Sequence, residues 1–126
     1  MTLYEYLKMS ETDFDTCDTV FDNGITVCYI DEEEDEYDKF CNGIIKKVDV
    51  IHIYDDCLTV NWYEMIERNI DKFKAFTKKY WYANCQYEDD IDDFIYEWIN
   101  EINAYMAGYA SIDFYSVLNE LVNSLE

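Results

Sequence analysis

Residues 15–30 read DTCDTVFDNGITVCYI. The Asn23-Gly24 step lies between two runs rich in β-formers, residues 15–21 and 25–30. An Asn-Gly pair supplies the positive-φ positions of a type I′ turn, whose twist matches that of the strands it joins. The stretch therefore predicts a β-hairpin, and a hairpin needs further strands or a helix to cover its apolar face.

Working outward, residues 2–9 predict a short helix, because Thr2 followed by Glu5 has the spacing of a capping box. Beyond the hairpin comes an acidic run, residues 31–38, which leads into a helix over residues 36–47. Phe40, Ile44 and Ile45 form its apolar stripe, and Lys46 and Lys47 fall in its last turn, where cations favour the helix dipole. Residues 48–54 and 57–62 predict a second pair of strands around Asp55-Asp56. Strict alternation would put Val48, Val50, His52 and Tyr54 on one face.

The second half is expected to be helical. Asn61 with Glu64 can cap a helix over residues 62–80, with Ile66, Ile70, Phe73 and Tyr80 at helical spacing. Ile91, Phe94, Ile95, Trp98, Ile102, Tyr105 and Met106 mark another, with Gly108 as its stop. Ser111 can cap a third, with the stripe Phe114, Val117, Leu118, Leu121, Val122 and Leu125. The expected order is α-ββ-α-ββ-ααα. The expected fold class is α+β: about four antiparallel strands in two hairpins, an intervening helix and a C-terminal three-helix segment. With 126 residues, no Pro, three Gly and no linker, the chain reads as a single domain over residues 1–126.

Half of the residues are hydrophobic, and thirteen Tyr, seven Phe and three Trp are enough for a core, so the charge does not imply disorder. The 29 acidic residues against 9 basic ones give a net charge of −20. Solubility asks for only about 2–8 charges on a small domain, and self-repulsion on this scale opposes compactness. The excess points either to a basic partner or to an acid-rich host. It disfavours nucleic acid and anionic membrane as direct ligands. Residues 1–9 lack the basic and apolar regions of a signal peptide, and no apolar run approaches the roughly 18 residues of a membrane span, so the chain is expected to be cytoplasmic. Cys17, Cys28, Cys41, Cys57 and Cys85 are odd in number and lack a CxxC pair, as expected of reduced thiols packed as small hydrophobes.

Catalytic constellations are not legible. A nucleophile–base triad would rest on His52, the one histidine, and Gly24, Gly43 and Gly108 are too far apart for a phosphate loop. The run starting at Asp31 has Glu36 where an EF-hand needs Gly and Asn42 where it needs Glu. Among 29 acids a neighbouring carboxylate pair carries no information. The sequence is thus expected to be a binding protein, not an enzyme, with no cofactor and no dedicated metal site.

The charges are uneven. Residues 1–60 hold 16 acidic and 4 basic residues, and residues 61–126 hold 13 and 5. Arg68, Lys72, Lys74, Lys78 and Lys79 crowd one stretch, leaving the rest more negative. Two acidic blocks stand out: residues 31–38, and Glu88, Asp89, Asp90, Asp92 and Asp93. Acids at a helix N-terminus serve as caps and favour the dipole. Glu97 and Glu101 continue the second block at i+4 steps, so Asp89, Asp93, Glu97 and Glu101 form a row of carboxylates roughly 5–6 Å apart at Cβ. Such a row could stand where a DNA-binding cleft expects phosphates. The candidate partner-binding residues are Asp89, Asp90, Asp93, Glu97 and Glu101, with Glu33, Glu34 and Asp35 secondary. Tyr29, Tyr37, Tyr63, Tyr82, Tyr87, Tyr96, Tyr105 and Tyr109 exceed the needs of a core, and tyrosine beside acid suits an arginine-rich surface.

In size, in its charge of −20 and in the runs Asp31-Glu32-Glu33-Glu34-Asp35-Glu36 and Glu88-Asp89-Asp90, the chain resembles small acidic inhibitors encoded by phages and mobile elements, of the anti-CRISPR and antirestriction DNA-mimic type. The resemblance lies in overall character, not in a motif, and no functional residue is carried over from it. It implies a partner that is a nuclease or another nucleic-acid-binding complex whose groove is occupied. The alternative is an adaptor or immunity-type protein that binds a basic polypeptide without displacing nucleic acid.

Overall fold

The computed structural model describes residues 1–9, 18–21, 35–54, 57–80 and 90–126. Its elements in chain order are α1 (Leu3–Met9), β1 (Asp18–Phe21), α2 (Glu36–Ile45), β2 (Val50–Tyr54), β3 (Cys57–Val60), α3 (Trp62–Arg68), α4 (Ile70–Tyr80), α5 (Ile91–Met106) and α6 (Ile112–Asn123). The chain is predominantly helical, which corrects the α+β expectation of four antiparallel strands in two hairpins. Three short strands pair in the order β1-β3-β2, with β2 antiparallel to β3. β1 runs parallel to β3, with Asp18 opposite Cys57 and Phe21 opposite Val60. Parallel pairing needs a long crossover, and α2 and β2 lie within it. The Asn-Gly rule speaks only for the next strand along the chain. The expected strand at residues 25–30 lies outside the described residues.

The pairing of β2 with β3 is also irregular. The register moves from Val50 opposite Val60 to His52 opposite Thr59, so the ladder is irregular at Ile51, which is exposed.

Local signals do place the helix starts. Thr2 Oγ1 accepts from the Glu5 amide at 3.2 Å. Asp35 accepts from the Asp38 amide at 2.9 Å and caps α2. Asn61 and Glu64 bond reciprocally: Asn61 Oδ1 accepts from the Glu64 amide at 2.8 Å, and Asn61 Nδ2 donates to Glu64 Oε2 at 2.7 Å. Ser111 Oγ accepts from the Phe114 amide at 3.3 Å. Each satisfies an amide that has no partner within its helix.

The expected single helix over residues 62–80 is broken at Asn69 into α3 and α4. Asn69 is buried; its Nδ2 donates to the Met65 carbonyl at 2.8 Å and its Oδ1 accepts from the Glu126 amide at 3.0 Å. The break holds the end of the chain. Lys47 Nζ donates to the Leu125 carbonyl at 2.7 Å and Lys72 Nζ to the Ser124 carbonyl, which supplies two cations to the negative end of α6.

Phe40, Ile44, Trp62, Met65, Ile66, Phe73, Ile95, Trp98, Ile102, Leu118 and Val122 are among the buried core residues. Phe73 and Phe76 meet Trp98 edge-on at centroid distances of 4.8 and 5.8 Å. The Trp98 indole N–H donates to Thr77 Oγ1 at 3.0 Å, and that hydroxyl donates to the Phe73 carbonyl at 2.8 Å. α2 packs on α6 through Gly43, where a Cβ would come within 2.6 Å of Val122 Cγ1. Tyr37 and Tyr105 belong to this interior: Tyr37 stacks edge-on to Tyr115 at 5.2 Å, and Tyr105 to Phe114 at 5.4 Å. Among the described residues the buried polar side chains are Asn42, Asn69, Thr77 and Asn103, none of them charged. The described charges therefore lie at or near the surface, as the cost of burying unpaired charge requires. No helix among the described residues is long and apolar enough to cross a membrane.

Candidate functional site

α5 carries the second acidic block. Phe94, Ile95, Trp98, Ile99, Ile102 and Met106 turn inward at helical spacing and bury the helix along one side. The opposite side is left with Asp93, Tyr96, Glu97, Asn100 and Glu101. Asp93 is exposed, Glu97 and Glu101 are half-buried, and Tyr96 is 50% exposed. The helix begins at Asp90, whose Oδ1 accepts from the Asp92 amide at 2.9 Å and the Asp93 amide at 3.3 Å. It ends before Gly108, whose φ of +90° is favoured only without a Cβ.

Of the residues expected to bind a partner, the structure places Asp93, Glu97 and Glu101 along one side of α5. An i+4 step advances about 6 Å along a helix and turns about 40°, so the row winds by about 80° from the exposed Asp93 to the half-buried Glu101. One DNA strand carries a charge about every 3.4 Å along the axis. The row alone thus has about half the charge density of a strand. Asp90 and Asp35 are engaged as caps of α5 and α2. Asp89, Glu33 and Glu34 lie outside the described residues.

A second line of acids comes from α3, which packs beside α5. The Tyr63 hydroxyl donates to Asp92 Oδ1, and the Tyr63 and Tyr96 rings lie 5.7 Å apart. The bond to Asp92, with some desolvation and the nearby charges of Asp92 and Glu67, pushes the Tyr63 phenol up to about 12. The phenol therefore stays a neutral donor and fixes Asp92 in place. Glu64 and Glu67 are exposed on the same helix. The result is an acidic surface with two tyrosines at the seam of α3 and α5. Asp92 and Glu67 were not among the expected site residues, because Tyr63 and Asp92 are 29 positions apart and no local rule joins them.

The basic stretch over residues 68–79 is partly turned to internal use. Arg68 pairs with Asp49 at 3.6 Å, Lys72 holds the Ser124 carbonyl, and the Lys79 ammonium lies 4.9 Å from the Tyr80 ring centroid. Of the tyrosines expected at an interface, Tyr96 and Tyr109 are exposed, the latter by 82%. Tyr29, Tyr82 and Tyr87 lie outside the described residues. Among the described residues no group of three or more His, Cys, Asp or Glu side chains is placed to hold a metal ion. No family model matches the chain, and neither a curated protein nor a solved structure matches it.

Proposed function

We propose that this protein inhibits a nucleic-acid-binding enzyme, a nuclease or CRISPR effector in type, by presenting a DNA-like acidic surface to its basic groove in the cytoplasm. The observation that carries the reading is the run of Asp93, Glu97 and Glu101 along the outer side of α5, which starts beside the Tyr63–Asp92 bond and the Tyr63–Tyr96 pair. The row has about half the charge density of one DNA strand, and Asp92 at its start adds a carboxylate on the side of α5 that faces α3. The net charge of −20 adds a long-range field that speeds encounter with a basic partner. Acid beside tyrosine suits arginine, through charge-assisted bonds and stacking on the ring face.

A second reading is favoured by the exposed Tyr96 ring. Tyrosine anchors protein interfaces, so the same face would serve an adaptor that binds a basic polypeptide without displacing nucleic acid.

The test is capture of partners from host lysate at low and moderate salt, with and without added duplex DNA, using the parent and the triple variant Asp93→Lys, Glu97→Lys, Glu101→Lys. Release of a nucleic-acid enzyme by DNA, and its loss in the variant, is the expected result. A partner retained in the presence of DNA would favour the adaptor. Equal capture by the variant would refute the assignment of this face.

A further inference from the structure

On the side of the molecule where α2 meets α6, the local charge reverses. A cleft of about 340 Å³ opens there, and three of its lining side chains are Lys39, Lys46 and Lys47, against one carboxylate, Glu36. Asn119 and Asn123 line the wall from α6. In a chain of net charge −20, three lysines lining one cleft need a reason. The volume is at the small end of the range for ligand sites, roughly 300–1,000 Å³.

The cleft is built by the packing of the two helices. Lys39, Gly43 and Lys46 fall on one stripe of α2, so the two lysines lie about 10 Å apart along the axis. Gly43 lets Val122 close against the helix backbone, which sets the floor between them. At one end the Glu36 carboxylate is already held: Asn119 Nδ2 donates to it at 2.9 Å and Lys39 Nζ at 3.2 Å. These bonds, with Asn119 the larger influence, hold its pKa below the ordinary glutamate value. Lys47 gives one N–H to the Leu125 carbonyl, and Lys46 lies 5.1 Å from the Tyr4 ring centroid. An ammonium has three donors, so each lysine keeps at least two N–H groups beyond the bonds made among the described residues.

We propose that this cleft binds a diphosphate group, with Lys39 and Lys46 at its two ends and Asn123 donating from α6. The separation of the two lysines suits two linked phosphates better than one.

The test is titration calorimetry on the full chain at constant ionic strength, with inorganic phosphate, pyrophosphate and ADP as probes. The comparison is the double variant Lys39→Gln, Asn123→Leu, whose residues do not hold the end of α6. Saturable 1:1 binding of pyrophosphate, weaker binding of inorganic phosphate and a loss of roughly tenfold or more in the variant are expected, with the thermal midpoint of the free variant unchanged. ADP binding as tightly as pyrophosphate would support a nucleotide as the source of the group, and weaker ADP binding would support the free diphosphate. No saturation with pyrophosphate, or equal binding by the variant, would overturn the proposal.

Discussion

Replacing Gly43 by alanine sets two effects of known size against each other. Alanine is favoured over glycine inside a helix by about 1 kcal/mol, and Gly43 lies inside α2. The new Cβ, however, would lie 2.6 Å from Val122 Cγ1 and 3.7 Å from Val122 Cβ. Carbon atoms sit best at about 3.5–4.0 Å, so the nearer contact is short by about 1 Å. Val122 cannot easily swing away, because valine in a helix holds one χ1 rotamer in about 90% of cases and its side chain is buried. Overpacking of this kind costs about 1–3 kcal/mol. The clash is therefore expected to win, leaving Gly43→Ala destabilised by up to about 2 kcal/mol. Val122→Ala alone removes two buried methyl groups, about 1.6 kcal/mol of transfer free energy plus a cavity term. In the double variant the methyl group added at position 43 enters the space that Val122 vacates. The two changes should then cost less together than their sum, with a coupling of about 1–3 kcal/mol. Urea unfolding followed by tryptophan fluorescence measures all four corners of this cycle. A Gly43→Ala protein that gains the full helix-propensity increment, with coupling near zero, would refute the close packing of α2 on α6.

Four further outcomes follow from the same geometry. The Tyr63 phenol is raised to about 12, so the folded chain holds that proton more tightly than the unfolded one. The stability it contributes is complete below about pH 10 and is lost as pH rises through about 12; the alkaline absorbance difference between parent and Tyr63→Phe should show this late titration, and Asp92→Asn should bring it earlier. Thr77→Val removes the acceptor of the buried Trp98 N–H and should cost about 1–3 kcal/mol in denaturant unfolding; a neutral result would count against that bond. Asp90→Ala removes the cap of α5 and should cost about 0.5–2 kcal/mol, whereas Asp93→Asn, on the exposed side of the same first turn, should lie within about 0.5 kcal/mol of the parent. Asn69→Ala takes away the acceptor of the Glu126 amide and should loosen the end of the chain, seen as faster hydrogen exchange at Leu125 and Glu126.

By itself the sequence determined that residues 2–9, 36–47, 62–80 and 91–123 are largely helical, and it marked three of the helix starts. Thr2, Asn61 and Ser111 cap the elements that follow them, the stripe Phe40–Ile44–Ile45 is buried, and of the stripe Phe114, Val117, Leu118, Leu121, Val122 and Leu125 the last four are buried and the first two partly so. These are interactions over one turn, so the residues that make them are adjacent in the text. What tertiary structure decided involves partners far apart in the chain. The strand at residues 18–21 takes a parallel neighbour at residues 57–60, a pairing that no local signal announces. The helical periodicity of residues 62–80 continues across Asn69, and the break there is held by Glu126, 57 positions away. The candidate surface divides in the same way. The row Asp93, Glu97, Glu101 follows from the helical repeat, but the contact of Tyr63 with Asp92 and Tyr96 at its start depends on α3 lying beside α5. Local rules place side chains on a helix; only the packing of one helix against another decides which faces become a single surface, because the burial that drives it is non-directional and does not depend on separation along the chain.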